Sequence, residues 1–176
     1  MSCEELIPHI NDGELVSLYT DPEEERFTVG FVLAVTEESV LLKLVDPYGN
    51  FDGFSLLRTA DICRIEFGGQ YEQKIMKLYR RREDPRVLEP EPSISLEEFF
   101  LSYAEKEHIL IALLTDGEDG KTLFGFVEAL TPERLTLRCI DDYGRGDGIV
   151  VLDRARLARL SCLSQDEDAL CVLMEE

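Results

Sequence analysis

One eight-residue pattern occurs twice in this chain, as DPYGNFDG at positions 46–53 and as DDYGRGDG at positions 141–148. Both copies read Asp-x-Tyr-Gly-x-x-Asp-Gly. Closely spaced aspartates suggest a metal-binding loop, whereas glycines at these intervals indicate tight turns. The residues around the two loops distinguish these interpretations.

The repeat extends far beyond the loops. A shift of 95 positions aligns residues 15–78 with residues 110–173 without a gap, and about 23 of the 64 aligned pairs are identical. This self-similarity is the mark of a tandem duplication. It predicts a first repeat over residues 1–78 and a second over residues 95–176 that begins with a helix. Residues 79–94 are rich in proline and arginine, which predicts an extended interdomain linker.

The duplicated loop does not match a calcium-binding loop. An EF-hand requires carboxylates at its first and twelfth positions when glycine occupies the sixth. That alignment places Tyr48 first and Thr59 twelfth in copy one, and equally unsuitable residues in copy two. Asp46 followed by Pro47 and Gly49 is instead typical of a type I turn. The following Asp-Gly pairs predict a second tight turn with positive φ at the glycine. We therefore expect turns here, and no metal or cofactor.

Composition and charge exclude several classes of function. The formal net charge is −19, and neither half of the chain is basic. Such a field repels phosphate, which disfavours RNA as a partner but leaves room for a local basic face. No apolar run approaches the length of about 20 residues that a membrane span needs, and the N-terminus lacks a secretory signal. We expect a cytoplasmic protein that does not contact membranes.

The cysteines and histidines do not form a recognisable site. Five cysteines occur without a C-x-x-C pair, and there are two histidines, so a zinc site is not expected. Four cysteines align with apolar residues of the other copy, which predicts reduced thiols that act as small core side chains: Cys63, Cys139, Cys162 and Cys171. No phosphate-binding glycine loop or nucleophile motif is present. We therefore do not expect an enzyme.

Comparison of the two copies predicts a mainly β protein with short helices. Alternating apolar and polar residues indicate five short strands in each copy, with a helical turn before the fifth. In the fifth strand of copy one, the pattern predicts that Cys63, Ile65 and Phe67 face the core. Gly30 and Gly125 predict a bend or a close backbone approach in the second strand.

Around the strands, residues 95–108 begin with a capping box, and residues 71–79 have helical spacing. Ser2 and Glu5 offer the same start to a shorter helix before copy one. Ser164 and Glu167 offer another cap, although the segment that follows could equally be a strand.

A helix followed by five strands, with a short turn before the last one, resembles the Sm-like fold, which is built on an SH3-type barrel. The resemblance covers about 60 residues of each copy and rests on strand order, spacing and the glycine of strand two. It implies two tandem five-stranded Sm-like/SH3-type barrels that form a pseudo-dimer. The RNA-binding motifs of Sm-like proteins are not matched: Arg64-Ile65 and Arg159-Leu160 keep an arginine but lack the glycine after it. The resemblance therefore implies the fold and not the RNA site.

Two functions remain open from the sequence. The preferred hypothesis is a non-catalytic protein-interaction or assembly module that binds a protein partner or self-associates. Its candidate surface residues recur in both copies: Tyr48, Arg64, Tyr143 and Arg159. Arg64 and Arg159 could alternatively pair with the repeated acids Glu72 and Glu167. The other function is RNA binding in the Sm-like manner, which would use Arg64, Arg159 and the linker arginines Arg80, Arg81, Arg82 and Arg86.

Overall fold

The computed structural model describes residues 3–23, 26–82, 84–116 and 121–175. The chain divides into two compact units, residues 1–96 and residues 97–176, which we call unit 1 and unit 2. Both are antiparallel β structures with short helices, as the alternation predicts.

Within the described residues, unit 1 forms five antiparallel strands and one α-helix, apart from the first residue of the helix that begins unit 2. Their bounds are β1 Val16–Tyr19, β2 Thr28–Val35, β3 Ser39–Val45, β4 Phe51–Arg58, β5 Arg64–Phe67 and α1 Gln70–Tyr79. Three 3₁₀ helices occupy Cys3–Glu5, Ile7–His9 and Thr59–Asp61. The backbone ladders run in the order β5-β1-β2-β3-β4. The predicted turn before the fifth strand is therefore confirmed, while a 3₁₀ segment replaces the expected N-terminal helix.

Unit 2 repeats this order of elements. Its bounds are α2 Leu96–Lys106, β6 Ile111–Thr115, β7 Leu123–Leu130, β8 Arg134–Ile140, β9 Gly146–Asp153, β10 Leu157–Cys162 and α3 Gln165–Met174, with a 3₁₀ helix at Arg154–Arg156. Residue 96, the first of α2, belongs to unit 1. The ladders run β10-β6-β7-β8-β9, which corresponds strand by strand to unit 1. Residues 169–173 are helical, so the alternative of a final strand is wrong.

The inner face of each sheet carries the main hydrophobic core. In unit 1 the core joins residues from β1, β2, β3 and β4 to the 3₁₀ segments: Leu6, Val16, Leu18, Val32, Val40, Leu42, Leu44, Leu57 and Ile62. Gly30 keeps β2 close to β3, because a Cβ at this position would lie 2.5 Å from the Lys43 carbonyl oxygen. At Gly125 the corresponding distance to the Arg138 carbonyl oxygen is 2.6 Å. The close approach predicted at both glycines is confirmed.

The helix that follows the fifth strand packs on the opposite, outer face of the sheet. In unit 1, Ile75 of α1 joins Leu15, Val29 and Val45 in a second buried cluster. In unit 2, Leu170 of α3 packs with Leu110, Phe126 and Ile140. Each sheet is therefore apolar on both faces over part of its area, which is why its strands read as nearly continuous hydrophobic runs.

A buried glutamate fixes the start of each of these helices. Glu72 accepts a hydrogen bond from the Gly69 amide and one from the Ser17 hydroxyl. Glu167 accepts corresponding bonds from the Ser164 amide and the Ser161 hydroxyl. This is the capping box predicted at Ser164. Arg64 does not pair with Glu72 as predicted, because its Nε atom lies 3.4 Å from a carboxylate oxygen of Glu66 instead.

The fifth strand of unit 1 differs from its prediction. Cys63 is exposed and Phe67 is 55% exposed, although both were expected to face the core. Their counterparts in unit 2 are better covered, and Cys162 is fully buried. Three of the four residues of β5 are exposed, and only Ile65, which is half-buried, packs against the core. Of the four cysteines predicted as core residues, Cys139 and Cys162 are buried and Cys171 is half-buried.

Candidate protein-binding surface

The duplicated aspartate loops are turns whose carboxylates hold the backbone. The Asp46 Oδ1 atom accepts hydrogen bonds of 2.8 Å from the amides of Tyr48 and Asn50. In copy two, Asp141 Oδ1 accepts bonds of 2.9 and 2.8 Å from the Tyr143 and Arg145 amides. A backbone bond from Gly49 to Asp46 closes the turn. These aspartates therefore serve the loop conformation, as the turn interpretation predicts.

The glycines of the loops have two separate roles. Gly53 and Gly148 have φ values of 87° and 82°, which confirms the second turn with positive φ. Gly49 and Gly144 also have positive φ, and each lies against the helix that follows the sheet. A Cβ at Gly49 would lie 2.5 Å from the Leu78 Cβ atom, so only glycine fits between the loop and α1.

The predicted surface tyrosines and arginines do not form one site. Tyr48 and Tyr143 are 72% and 71% exposed at the loop tips. Arg64 lies on β5, where its guanidinium stacks 3.6 Å above the Tyr19 ring. Arg159 lies opposite Leu114 and is half-buried. The two arginines occupy equivalent strands but have different neighbours, so the repeat does not preserve a shared arginine contact.

Among the described residues, the arginines predicted to contact nucleic acid fall into two groups. Arg80, Arg81 and Arg82 are exposed at the end of α1. The first two line a cleft that also contains Glu14 and Glu72, so its charge is mixed. Arg86, in contrast, stacks 3.7 Å from the Phe51 ring and donates to Asp84 at 2.6 Å. Its guanidinium is therefore engaged within unit 1.

A cluster near the N-terminus was not predicted. His9 is buried, its Nδ1 lies 3.1 Å from an Asp12 carboxylate oxygen, and its ring packs 4.4 Å from the Phe67 ring. Glu14 lies nearby, and ligand atoms of these three residues fall within 4.8 Å of one another. The other Asp12 carboxylate oxygen accepts the Glu14 amide. These hydrogen bonds account for the cluster as a local turn, and we assign it no metal.

Residues 84–94, which the sequence assigns to the linker, lie along the outer face of unit 1. We call this segment the strap. Lys43 is only 7% exposed. Its ammonium donates hydrogen bonds of 2.8 and 2.6 Å to the carbonyl oxygens of Asp84 and Arg86. Leu88 of the strap is buried. The segment is thus a fixed part of unit 1 in this structure.

The part of the equivalent face that β8 and β9 form in unit 2 is exposed, beside the area that α3 covers. Phe54 and Leu56 of β4 are 1% and 5% exposed, whereas Ile149 and Val151 at the same positions of β9 are 65% and 56% exposed. The register of β8 and β9 places these two residues opposite Arg138 and Thr136 on one face, where Arg138 pairs with Glu128 at 2.5 Å. We call this surface the open face; it comprises Glu128, Thr136, Arg138, Ile149 and Val151.

The sequence contains a signal for this surface that is easy to overlook. In Ile149-Val150-Val151-Leu152, both alternating sets of side chains are apolar. A strand at the edge of an antiparallel sheet usually has one polar face. Apolar residues on both faces therefore indicate a second contact surface.

No helix of the described residues combines the length and hydrophobicity that a membrane span requires. Comparison with protein-family models, with curated proteins and with solved structures finds no match to this chain.

Proposed function

We propose that the chain is a non-catalytic protein-interaction or assembly module, and that the open face of unit 2 is its binding surface. The observation that carries this proposal is the contrast between matched positions of the repeat. Phe54 and Leu56 are buried, while Ile149 and Val151 expose most of their surface. Burial of apolar surface stabilises by about 25 cal/mol per Å². A partner that covers the open face would recover this stabilisation.

We further propose that each unit is a small Sm-like/SH3-type barrel. The strand order, with the fifth strand beside the first, and the 3₁₀ turn before the fifth strand support this interpretation. The free cysteines fit a cytoplasmic location, where thiols stay reduced. The competing function, RNA binding through Arg64, Arg159 and the strap and helix-end arginines, is weakened by the contacts that Arg64 and Arg86 already make.

A pair of matched variants tests the proposal. Ile149→Glu/Val151→Glu places charge on the open face, and Val172→Glu places it on α3, where Val172 is 61% exposed. All three sites are exposed, so the fold is expected to tolerate the changes. Partners would be captured from cell extract, identified, and mixed as purified proteins with each variant, while sedimentation velocity measures self-association. We expect the unaltered chain to bind a purified partner or to self-associate. The double variant should lose this binding, and Val172→Glu should retain it.

RNA binding is measured on the same preparations. The ratio of absorbance at 260 and 280 nm reports copurified nucleic acid, and fluorescence anisotropy reports binding of labelled single-stranded RNA at low and high salt. Salt-sensitive RNA binding that is lost in Arg64→Ala/Arg159→Ala and kept in the double glutamate variant would overturn the proposal. Equal protein binding by the double variant and the unaltered chain would also overturn it.

A further inference from the structure

The strap shows how the outer face of unit 1 holds an extended segment. Its contacts come from alternate residues: Asp84 and Arg86 offer carbonyl oxygens to Lys43, and Leu88 is buried. A spacing of two is that of extended backbone, in which alternate residues point the same way. Pro85 and Pro90 favour this conformation and reduce the entropy lost on docking, whereas Pro92 lies in a turn. The strap is therefore an extended, proline-containing ligand that is covalently part of its own binding unit.

Lys43 recognises backbone and not side chains in this arrangement. Its ammonium donates to two main-chain carbonyls and also lies 3.8 Å from the Asp84 carboxylate. Carbonyl oxygens are present in every sequence, so this contact selects for an extended path more than for particular residues. A side-chain contact adds to it, because the Arg86 guanidinium stacks on the Phe51 ring of the same face.

The open face of unit 2 keeps the parts of this arrangement. Arg138 stands at the position of Lys43, opposite Ile149 on β9, just as Lys43 stands opposite Phe54 on β4. A guanidinium has five N–H donors, enough for two carbonyls in addition to its present partner Glu128. The Arg138 side chain is 43% exposed, and its guanidinium also lies 5.2 Å from the centre of the Phe126 ring.

One difference between the faces changes what a ligand would carry. Gly146 replaces Phe51, the aromatic ring on which Arg86 of the strap stacks. A Cβ at Gly146 would meet nothing within 4 Å, so this position is open. A ligand residue at the place of Arg86 would therefore lose the cation–π contact and find space for an apolar or aromatic side chain.

We propose that the open face of unit 2 binds an extended, proline-containing peptide segment of a partner protein, in the way that the outer face of unit 1 holds the strap. This inference rests on the proposed function of the open face and specifies its ligand. Arg138 donates to two backbone carbonyls of the segment, Ile149 and Val151 contact an apolar side chain two to four residues further on, and the space above Gly146 accepts a bulky side chain.

Synthetic peptides and the full chain test this inference directly. One peptide has the sequence of residues 84–94, the second carries phenylalanine in place of Arg86, and a third has alanine in place of all three prolines. Binding is measured by fluorescence anisotropy of labelled peptide at concentrations up to about 1 mM, the weak end of specific affinities. We expect the phenylalanine peptide to bind most tightly and the proline-free peptide to bind at least about 3-fold more weakly than the first.

Variants of the chain then locate the binding. Arg138→Met keeps side-chain length but removes the donors, and we expect about a 10-fold loss of affinity. Arg138→Lys is expected to stay within about 3-fold of the unaltered chain, because lysine performs this role in unit 1. Val172→Glu should leave affinity unchanged. If Arg138 had only a structural role, the peptide affinities of Arg138→Lys and Arg138→Met would not differ in this order.

The outcomes separate the two proposals. The inference is overturned if no peptide binds, or if binding persists unchanged in Arg138→Met and in Ile149→Glu/Val151→Glu. The peptide inference can fail while the double variant still no longer binds a purified protein partner. The open face is then a protein-binding surface whose ligand is a folded domain or a second copy, and only the peptide inference fails. If the double variant affects neither peptide nor partner, both proposals fail.

Discussion

Substitution of Gly49 by alanine should destabilise the protein by an amount that the geometry defines. Gly49 has φ of 80°, and a Cβ there would lie 2.5 Å from the Leu78 Cβ atom and 2.7 Å from the Leu78 carbonyl carbon. Left-handed backbone costs an alanine roughly 1–2 kcal/mol. Forcing an extra methyl group into a packed contact costs roughly 1–3 kcal/mol more. We expect a total loss of about 2–5 kcal/mol, a large part of the roughly 5–15 kcal/mol of a typical domain.

Gly13 provides the matched control in the same unit. Its φ is 81°, nearly the same as at Gly49, but a Cβ there would meet nothing within 4 Å. Gly13→Ala therefore carries the backbone cost of about 1–2 kcal/mol without the packing cost. The entropy that alanine removes from the unfolded chain is common to both variants and cancels in the comparison.

The measurement is urea unfolding of each full-length variant, followed by far-ultraviolet circular dichroism. The difference between the two variants should be about 1–3 kcal/mol, or roughly 2–12 °C in melting temperature for a chain of this size. A second pair in unit 2 repeats the test, because Gly144 contacts Leu173 while Gly148 is open. Equal losses within both pairs would refute the packing of the loop against the helix.

Two further predictions concern the strap and the thiols. A hydrogen bond from Arg86 lowers the pKa of the Asp84 carboxyl. The ionised carboxylate therefore stabilises the folded protein at pH values above the ordinary Asp pKa of about 3.9, and this stabilisation is lost as the pH falls through the lowered pKa. Hydrogen exchange of residues 84–94, corrected for intrinsic rates, should therefore accelerate at acid pH, and Asp84→Asn should remove this dependence; a flat profile in the unaltered chain would contradict it. Cys63 is exposed, whereas Cys139 is buried and burial raises the pKa of its thiol. Iodoacetamide followed by peptide mass spectrometry should modify Cys63 first, and early labelling of Cys139 would contradict the core position.

Local patterns were sufficient to predict much of each unit. Glycine at positions 30 and 125 predicted a close approach of β2 and β7 to their neighbours, and the structure has it. The pairing of Ser164 with Glu167 predicted the start of α3. Both signals depend on residues within a few positions of one another or on one repeated position, where local chemistry determines the conformation.

Features that depend on which face is covered could not be predicted in this way. The prolines and arginines of residues 79–94 predicted an extended linker, but residue 79 ends α1 and residues 92–93 form a turn. Its middle part lies on the sheet because Lys43 donates to the carbonyls of Asp84 and Arg86. Phe67 looked like a core residue because it is apolar and follows an alternating pattern, yet the fifth strand of unit 1 is largely exposed. The identity of a residue does not report whether another part of the chain covers it.

The attachment of the strap has a consequence for competition between ligands. Only residues 80–83 separate the end of α1 from the strap, so the strap is present at its own site at a high effective concentration, in the millimolar range for short tethers. A free peptide of similar intrinsic affinity must reach a comparable concentration before it displaces this built-in competitor. If the open face binds an extended peptide as we propose, the copy of the site in unit 1 is occupied by its own strap, and only the copy in unit 2 is available to a ligand in trans.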